Sequence, residues 1–212
     1  MSSSAPLPAL TTLDAVALTV GAAPSDAQAL GFTVFTTGDV PAELGLDRAA
    51  LERAGFTGKA GSSLVLPQAE GPELVAVGAG EEGELDAAAL RDLAATFARA
   101  AARHARIALS VSALGSADAA TAAGVLSEGT LLARYTYTAL KTEPKAIALE
   151  AATFSVPGAA DADAAVAAAA GAAAALPEAM LEAEEDGTAP TKDVDDDAAD
   201  GDAEESTPGD TG

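Results

Sequence analysis

Between Leu74 and Val111 the chain runs through a short apolar stretch, a glycine-bearing turn, an amphipathic segment and a second apolar stretch, an order that few folds admit. Asp86 stands in front of AAALRDLAATFARAAARHAR, where Leu90, Leu93, Ala94, Phe97 and Ala101 recur at the spacing that places side chains on one helical face. Arg99, Arg103 and Arg106 gather toward the far end, where a helix terminus favours cations. Leu74 to Val77 before this segment and Ile107 to Val111 after it read as short buried strands. Strand, crossover helix and strand predict parallel pairing, because two strands running the same way need a long connection between them.

The flanking sequence extends the alternation. Leu13 to Val20 is a strand candidate followed by the turn signal GAAPSD, and Phe32 to Phe35 is a second, shorter one. Asp39 is a candidate cap for a short turn beginning at Pro41, and Asp47 for a helix in which Ala50, Leu51 and Ala54 share a face before Gly55 stops it. Ser63 to Leu66 and Leu74 to Val77, joined by PQAEGPE, suit a hairpin. A second long helix is expected from about Asp118 to Tyr135 and a last strand from Ala146 to Phe154. Ala159 to Leu176 should form a further helix, since 13 of its 18 residues are Ala, the best helix former, and Pro177 ends it. The expected organisation is a flexible start over 1–12, an α/β domain over 13–155 with a mixed sheet and flanking helices, an Ala-rich connecting helix over 156–177, and an acidic tail over 178–212.

Charge separates that tail from the rest. Residues 178–212 hold 14 acidic residues and only Lys192, a net of −13, while residues 1–177 carry a net of −9. With no large apolar residue after Leu181 except Val194, the tail cannot bury enough surface to offset the entropy of ordering, so disorder is expected there. The overall charge of −22 weighs against nucleic acid, whose phosphates are bound largely by Lys and Arg. The absence of Cys excludes disulfides, thiolate metal sites and Cys nucleophiles, and a single histidine, His104, removes most imidazole chemistry. MSSSAPLPAL lacks the basic and apolar regions of a signal peptide, and the Ala-rich stretch, interrupted by Asp161 and Asp163, is too weakly apolar to span a bilayer. A cytoplasmic protein without membrane contact is therefore expected.

Few motifs suggest chemistry. Gly78, Gly80 and Gly83 in VGAGEEGEL spell G-x-G-x-x-G between a strand and a helix, the setting of a dinucleotide pyrophosphate. Glu81, Glu82 and Glu84 would repel a diphosphate, however, and Arg103 stands where an acidic ribose ligand would be required. The alternative is a tight turn in which glycine supplies positive φ. His104 has no nucleophile to serve and reads as a helix-end residue interacting with carbonyls. Ser127 in GVLSEGT is one residue off a nucleophile-elbow spacing and lies in a helical pattern, so it reads as structural. Asp195, Asp196, Asp197, Asp200 and Asp202 lack the spacing of a calcium loop. Arg134, Tyr135, Tyr137 and Lys141 form an aromatic-basic cluster that a packed helix end with exposed charges would explain.

Three stretches in order resemble the N-terminal domain of the leucyl (cytosol) aminopeptidase family. They are AGFTGKAG (Ala54 to Gly61), LVAVGAGEEGELDAAALRDLAATFARA (Leu74 to Ala100) and VLSEGTLLARYTYTALKTEP (Val125 to Pro144). In the third, Glu128, Gly129, Leu131, Leu132, Tyr135, Tyr137 and Lys141 occupy the places of an E-G-x-L-L-x-x-Y-x-(F/Y) helix ending near a Lys. The resemblance implies a macro-domain-like α/β fold set before a separate catalytic domain with two divalent metal ions. In the family that second domain carries an N-T-D-A-E-G-R motif, and no such run occurs in these residues. The expectations are accordingly no catalytic, cofactor-binding or metal-ligating residue in this chain, and a non-catalytic role in assembly, with itself or with a full-length aminopeptidase. The alternative is part of a two-metal leucyl aminopeptidase that removes N-terminal residues from peptides, its catalytic domain absent from this chain. A third reading, a binder of ADP-ribose or a nucleotide, rests on fold analogy alone.

Overall fold

Three aspartates set the helix starts. Asp47, Asp86 and Asp118 each hold an extended backbone and accept a hydrogen bond from an amide three residues on, Ala50 at 2.7 Å, Ala89 at 2.8 Å and Thr121 at 2.9 Å. Each carboxylate thereby satisfies one of the free N–H groups that open a helix. The helices that follow are α1 (Arg48–Arg53), α2 (Ala87–Ala100) and α3 (Ala119–Arg134). The computed structural model describes residues 16–135 and 147–158. The Ala-rich stretch, the acidic tail, residues 1–12, Tyr137 and Lys141 lie outside them.

Six strands form one sheet: β1 (Ala17–Val20), β2 (Ala29–Phe35), β3 (Ser63–Leu66), β4 (Glu73–Gly80), β5 (Arg106–Ser110) and β6 (Ala151–Ser155). Their order is β1-β6-β5-β2-β4-β3, with every pair parallel except β3 against β4. The expected hairpin and the parallel units are both present. Because β2 lies between β4 and β5, the connection through α2 crosses over it.

Side-chain alternation assigns the two faces. Ala29 and Phe35 of β2, Val75, Val77 and Ala79 of β4, Ile107 and Leu109 of β5, and Ala152 and Phe154 of β6 meet Leu90, Leu93, Ala94 and Phe97 of α2 and Leu126 of α3 in the main core. On the opposite face a smaller core joins Val34 and Ala76 to Leu44, Leu51 and Phe56. With no Trp in the chain, phenylalanine does much of the filling, and Phe97 and Phe154 are almost wholly buried.

The structure corrects several boundaries. The candidate at Phe32 is the seven-residue β2, which begins at Ala29 and continues through Gly31. A glycine normally weakens a strand, but here a Cβ would stand 2.6 Å from the Phe97 ring and 2.8 Å from Leu109, so the missing side chain makes room for α2. The first strand is only Ala17–Val20 and the last begins at Ala151 rather than Ala146. Asp39 caps nothing: the short 3-10 turn Ala42–Leu44 starts from Pro41 without a side-chain cap. In α1 only Leu51 is buried, because six residues present a single position to the smaller core.

Helices α2 and α3 lie side by side, and Gly129 of α3 sits against the backbone of α2, where a Cβ would collide with the Arg91 carbonyl oxygen. Replacing a mid-helix glycine by alanine ordinarily stabilises by about 1 kcal/mol. Here Gly129→Ala should instead destabilise, by about 1–3 kcal/mol of overpacking. Gly83→Ala, with open space around it, should change the urea midpoint little. Equal midpoints for the two variants would show that the helices do not touch at Gly129.

Candidate functional site

The G-x-G-x-x-G loop is already occupied by the chain itself. Gly78 lies within β4, where a Cβ would collide with the Lys59 carbonyl oxygen and the Ser62 hydroxyl, and its N–H donates to the Ser62 carbonyl at 2.8 Å. Gly80 ends the strand at φ 78°, and its N–H donates to the Gly58 carbonyl at 2.9 Å. Gly83 falls in the 3-10 turn Glu82–Glu84 with no close neighbour. The expected positive φ therefore holds for Gly80, while Gly78 is required by close approach of the 58–62 loop. Two amides that a pyrophosphate would need are spent, and α2 opens on the Asp86 carboxylate.

His104 meets a different partner from the carbonyls expected. Its Nε2 lies 3.1 Å from a carboxylate oxygen of Glu73, whose other oxygen accepts from Arg103 Nη2 at 2.6 Å. The Glu73 side chain is only 10% exposed. Burial alone would raise its carboxyl, but the hydrogen bonds from His104 and Arg103 and their charge outweigh that, and the net shift is downward. Arg103 and Arg106 are not dipole partners of α2, which ends at Ala100; Arg106 is in β5 and pairs with Glu150 at 2.9 Å and Asp26 at 3.2 Å. Beside this cluster Gln28 Oε1 accepts from the amides of Ala105, at 2.8 Å, and Arg106, at 3.2 Å.

Arg134 is a backbone clamp rather than an exposed charge. Its guanidinium donates to the carbonyls of Ala101, His104 and Ile147, each at 2.9 Å, and burial draws its pKa below the usual guanidinium value. Ser127 is fully buried and donates to the Ala123 carbonyl at 2.8 Å. Tyr135 is exposed.

One crevice has the position that open parallel sheets use for ligands. The chain leaves β2 on the α1 face and β5 on the α3 face, so the carboxyl ends of these neighbours flank a topological switch. A cavity of about 280 Å³ there is lined by Phe32, Thr33, Asp39, Glu43, Ser110 and Ser112 among others. The Thr33 and Ser112 hydroxyls are 2.9 Å apart. Two carboxylates and no Lys or Arg in the lining disfavour a phosphate-bearing ligand. Among the described residues there is no cluster of three or more acidic or histidine side chains that could hold a metal ion.

Residues 44–144 match the model of the cytosol aminopeptidase family, N-terminal domain. The chain resembles that domain. Among solved structures, the bottromycin maturation enzyme BotP in complex with Mn is 26% identical over 70% of this chain and 30% of its own, with a TM-score of 0.56. A second BotP structure gives 26% identity and a TM-score of 0.57, over 70% of this chain and 31% of that one. A tomato leucine aminopeptidase mutant, at 16% identity, shares the fold with a TM-score of 0.63 over 76% of this chain and 37% of its own. This chain thus spans about a third of each structure's length. No curated protein matches the sequence.

Glu73 and His104 are 31 residues apart, so no local sequence pattern joins them. Because the folded Glu73 carboxyl titrates below its ordinary value of 4.5, its contribution to stability is present above that value and is lost as pH falls through the lowered one. Glu73→Gln should lower the unfolding midpoint at pH 7, and the gap from the unaltered protein should close toward pH 3; a constant gap would rule out ionisation as its cause. For the glycine loop, titration calorimetry with ADP-ribose should register no binding, and micromolar affinity abolished by Gly80→Asp would reverse that assignment.

Proposed function

We propose that this chain is a non-catalytic assembly module of the aminopeptidase N-terminal type, working in the cytoplasm by association with itself or with a full-length aminopeptidase. One observation carries the reading. Leu132 at 45%, Tyr135 at 41% and Ile147 at 47% are the large apolar side chains left exposed among the described residues. Leu132 and Tyr135 stand three residues apart at the end of α3, and Arg134 between them donates to the Ile147 carbonyl, which brings the Ile147 backbone to the same helix end. Exposed apolar side chains around one helix end, on a chain of net charge −22, suit a protein contact better than a substrate. No helix among the described residues is long and apolar enough to cross a membrane, which is compatible with this setting.

The net charge of −22 adds a condition. Self-association is repulsive at low ionic strength, and screening over about 8 Å at physiological salt relieves it. Sedimentation or light scattering should therefore show association that strengthens from low to moderate salt and is lost in a Leu132→Lys, Tyr135→Lys variant. A strict monomer under every condition, alone and with a cellular aminopeptidase, would remove the assembly reading.

The second reading, part of a two-metal aminopeptidase, is favoured by the much longer enzymes that share this fold. The assembly reading expects no turnover of leucine p-nitroanilide by the purified chain with manganese or zinc. Metal-dependent turnover abolished by a chelator would favour the enzyme instead.

A further inference from the structure

The switch-point crevice combines unused hydrogen-bonding capacity with unpaired charge. Thr33 of β2, only 2% exposed, and Ser112, just beyond β5, both line its cavity of about 280 Å³. Thr33 Oγ1 accepts from the Ser112 amide at 3.1 Å, and the two hydroxyls share one hydrogen bond at 2.9 Å. A hydroxyl has one hydrogen and two lone pairs, so this pair keeps one hydrogen and two lone pairs without a partner among the described residues. Asp39 and Glu43 line the same cavity, both exposed, and neither has an ion pair or hydrogen bond to a described residue. Arg48, which borders the adjoining hollow together with Asp39, is engaged by the carbonyls of Phe35, Thr36 and Gly38.

We propose that this crevice binds a small organic cation, a primary alkylammonium, between the Asp39 and Glu43 carboxylates and the Thr33 and Ser112 hydroxyls. An ammonium has three donors and no acceptor, the complement of a lining made of carboxylates and hydroxyl lone pairs. A neutral alcohol matches the hydrogen bonds without the charge, and an acid or a phosphate is repelled. Phe32, partly buried in the same lining, suits an alkyl stem, and an aromatic ring also attracts a cation. The volume lies at the small end of the roughly 300–1,000 Å³ of small-molecule sites, which favours a ligand of few heavy atoms over a nucleotide.

A chain of net charge −22 attracts any cation, so the test must resolve position. Heteronuclear NMR of the full-length chain with n-butylamine at pH 7, where an alkylamine is protonated as lysine is, reads the site residue by residue. Saturable shifts are expected at the amides of Thr33, Val40, Glu43 and Ser112, with no such shifts from butan-1-ol or butyrate. Asp39→Asn combined with Glu43→Gln should weaken binding at least about tenfold and leave the rest of the spectrum in place, since both side chains are exposed and unbonded. Ser112→Ala should weaken it about threefold. Shifts confined to residues 178–212, or affinity unchanged in either variant, would reduce the effect to diffuse attraction and overturn the proposal. Equal shifts with butan-1-ol would overturn it too, because charge would then have no part in recognition.

Discussion

The contact between the Phe97 ring and Gly31 holds the architecture together. Because β2 sits between the two strands that α2 connects, the helix must cross β2, and it does so at the one position of that strand without a side chain. Any Cβ at Gly31 would push the ring away and separate α2 from Val75, Val77, Ile107 and Leu109 around it. A buried phenylalanine of this kind is worth about 3–5 kcal/mol against alanine, a large part of a domain's net stability. Helix α3 then depends on α2, since it packs along it with Gly129 against the Arg91 backbone.

At the opposite ends of the strands from the switch-point crevice, polar groups do the joining. Gln28 ties β2 to the chain entering β5, Glu73 ties β4 to Arg103 and His104, and Arg134 fastens the end of α3 to the same connection and to Ile147. These bonds fix the turn between α2 and β5 from three sides. Thr130 Oγ1 in α3 is a buried hydroxyl without a hydrogen-bond partner. His104 and Arg134, which look most like chemistry in sequence, take part in these bonds, and the buried Ser127 hydroxyl donates to the Ala123 carbonyl. The large apolar side chains that the described surface leaves exposed are Leu132, Tyr135 and Ile147.

Elements written into local pattern were legible from the sequence. The helix starts at Asp47, Asp86 and Asp118, the buried face of α2 and the β3–β4 hairpin all appear where short-range spacing put them. Legibility failed where a local signal met a distant partner. Gly31 falls outside the strand candidate Phe32 to Phe35 until Phe97 is placed upon it. His104 reads as a carbonyl-binding helix end until Glu73 is brought alongside, and Arg134 as a solvent-facing charge until three carbonyls converge on it.

The sequence by itself determined the alternation of strands and helices, the absence of thiol chemistry and the resemblance to the aminopeptidase N-terminal domain, because each depends on residue type, local spacing or motif order. Only the tertiary structure decided that the Gly78 and Gly80 amides bond to the 58–62 loop, and that Glu73 is paired. The physical reason is that an amide or a carboxylate is available to a ligand only if the fold has not already satisfied it, and its partners lie tens of residues away along the chain.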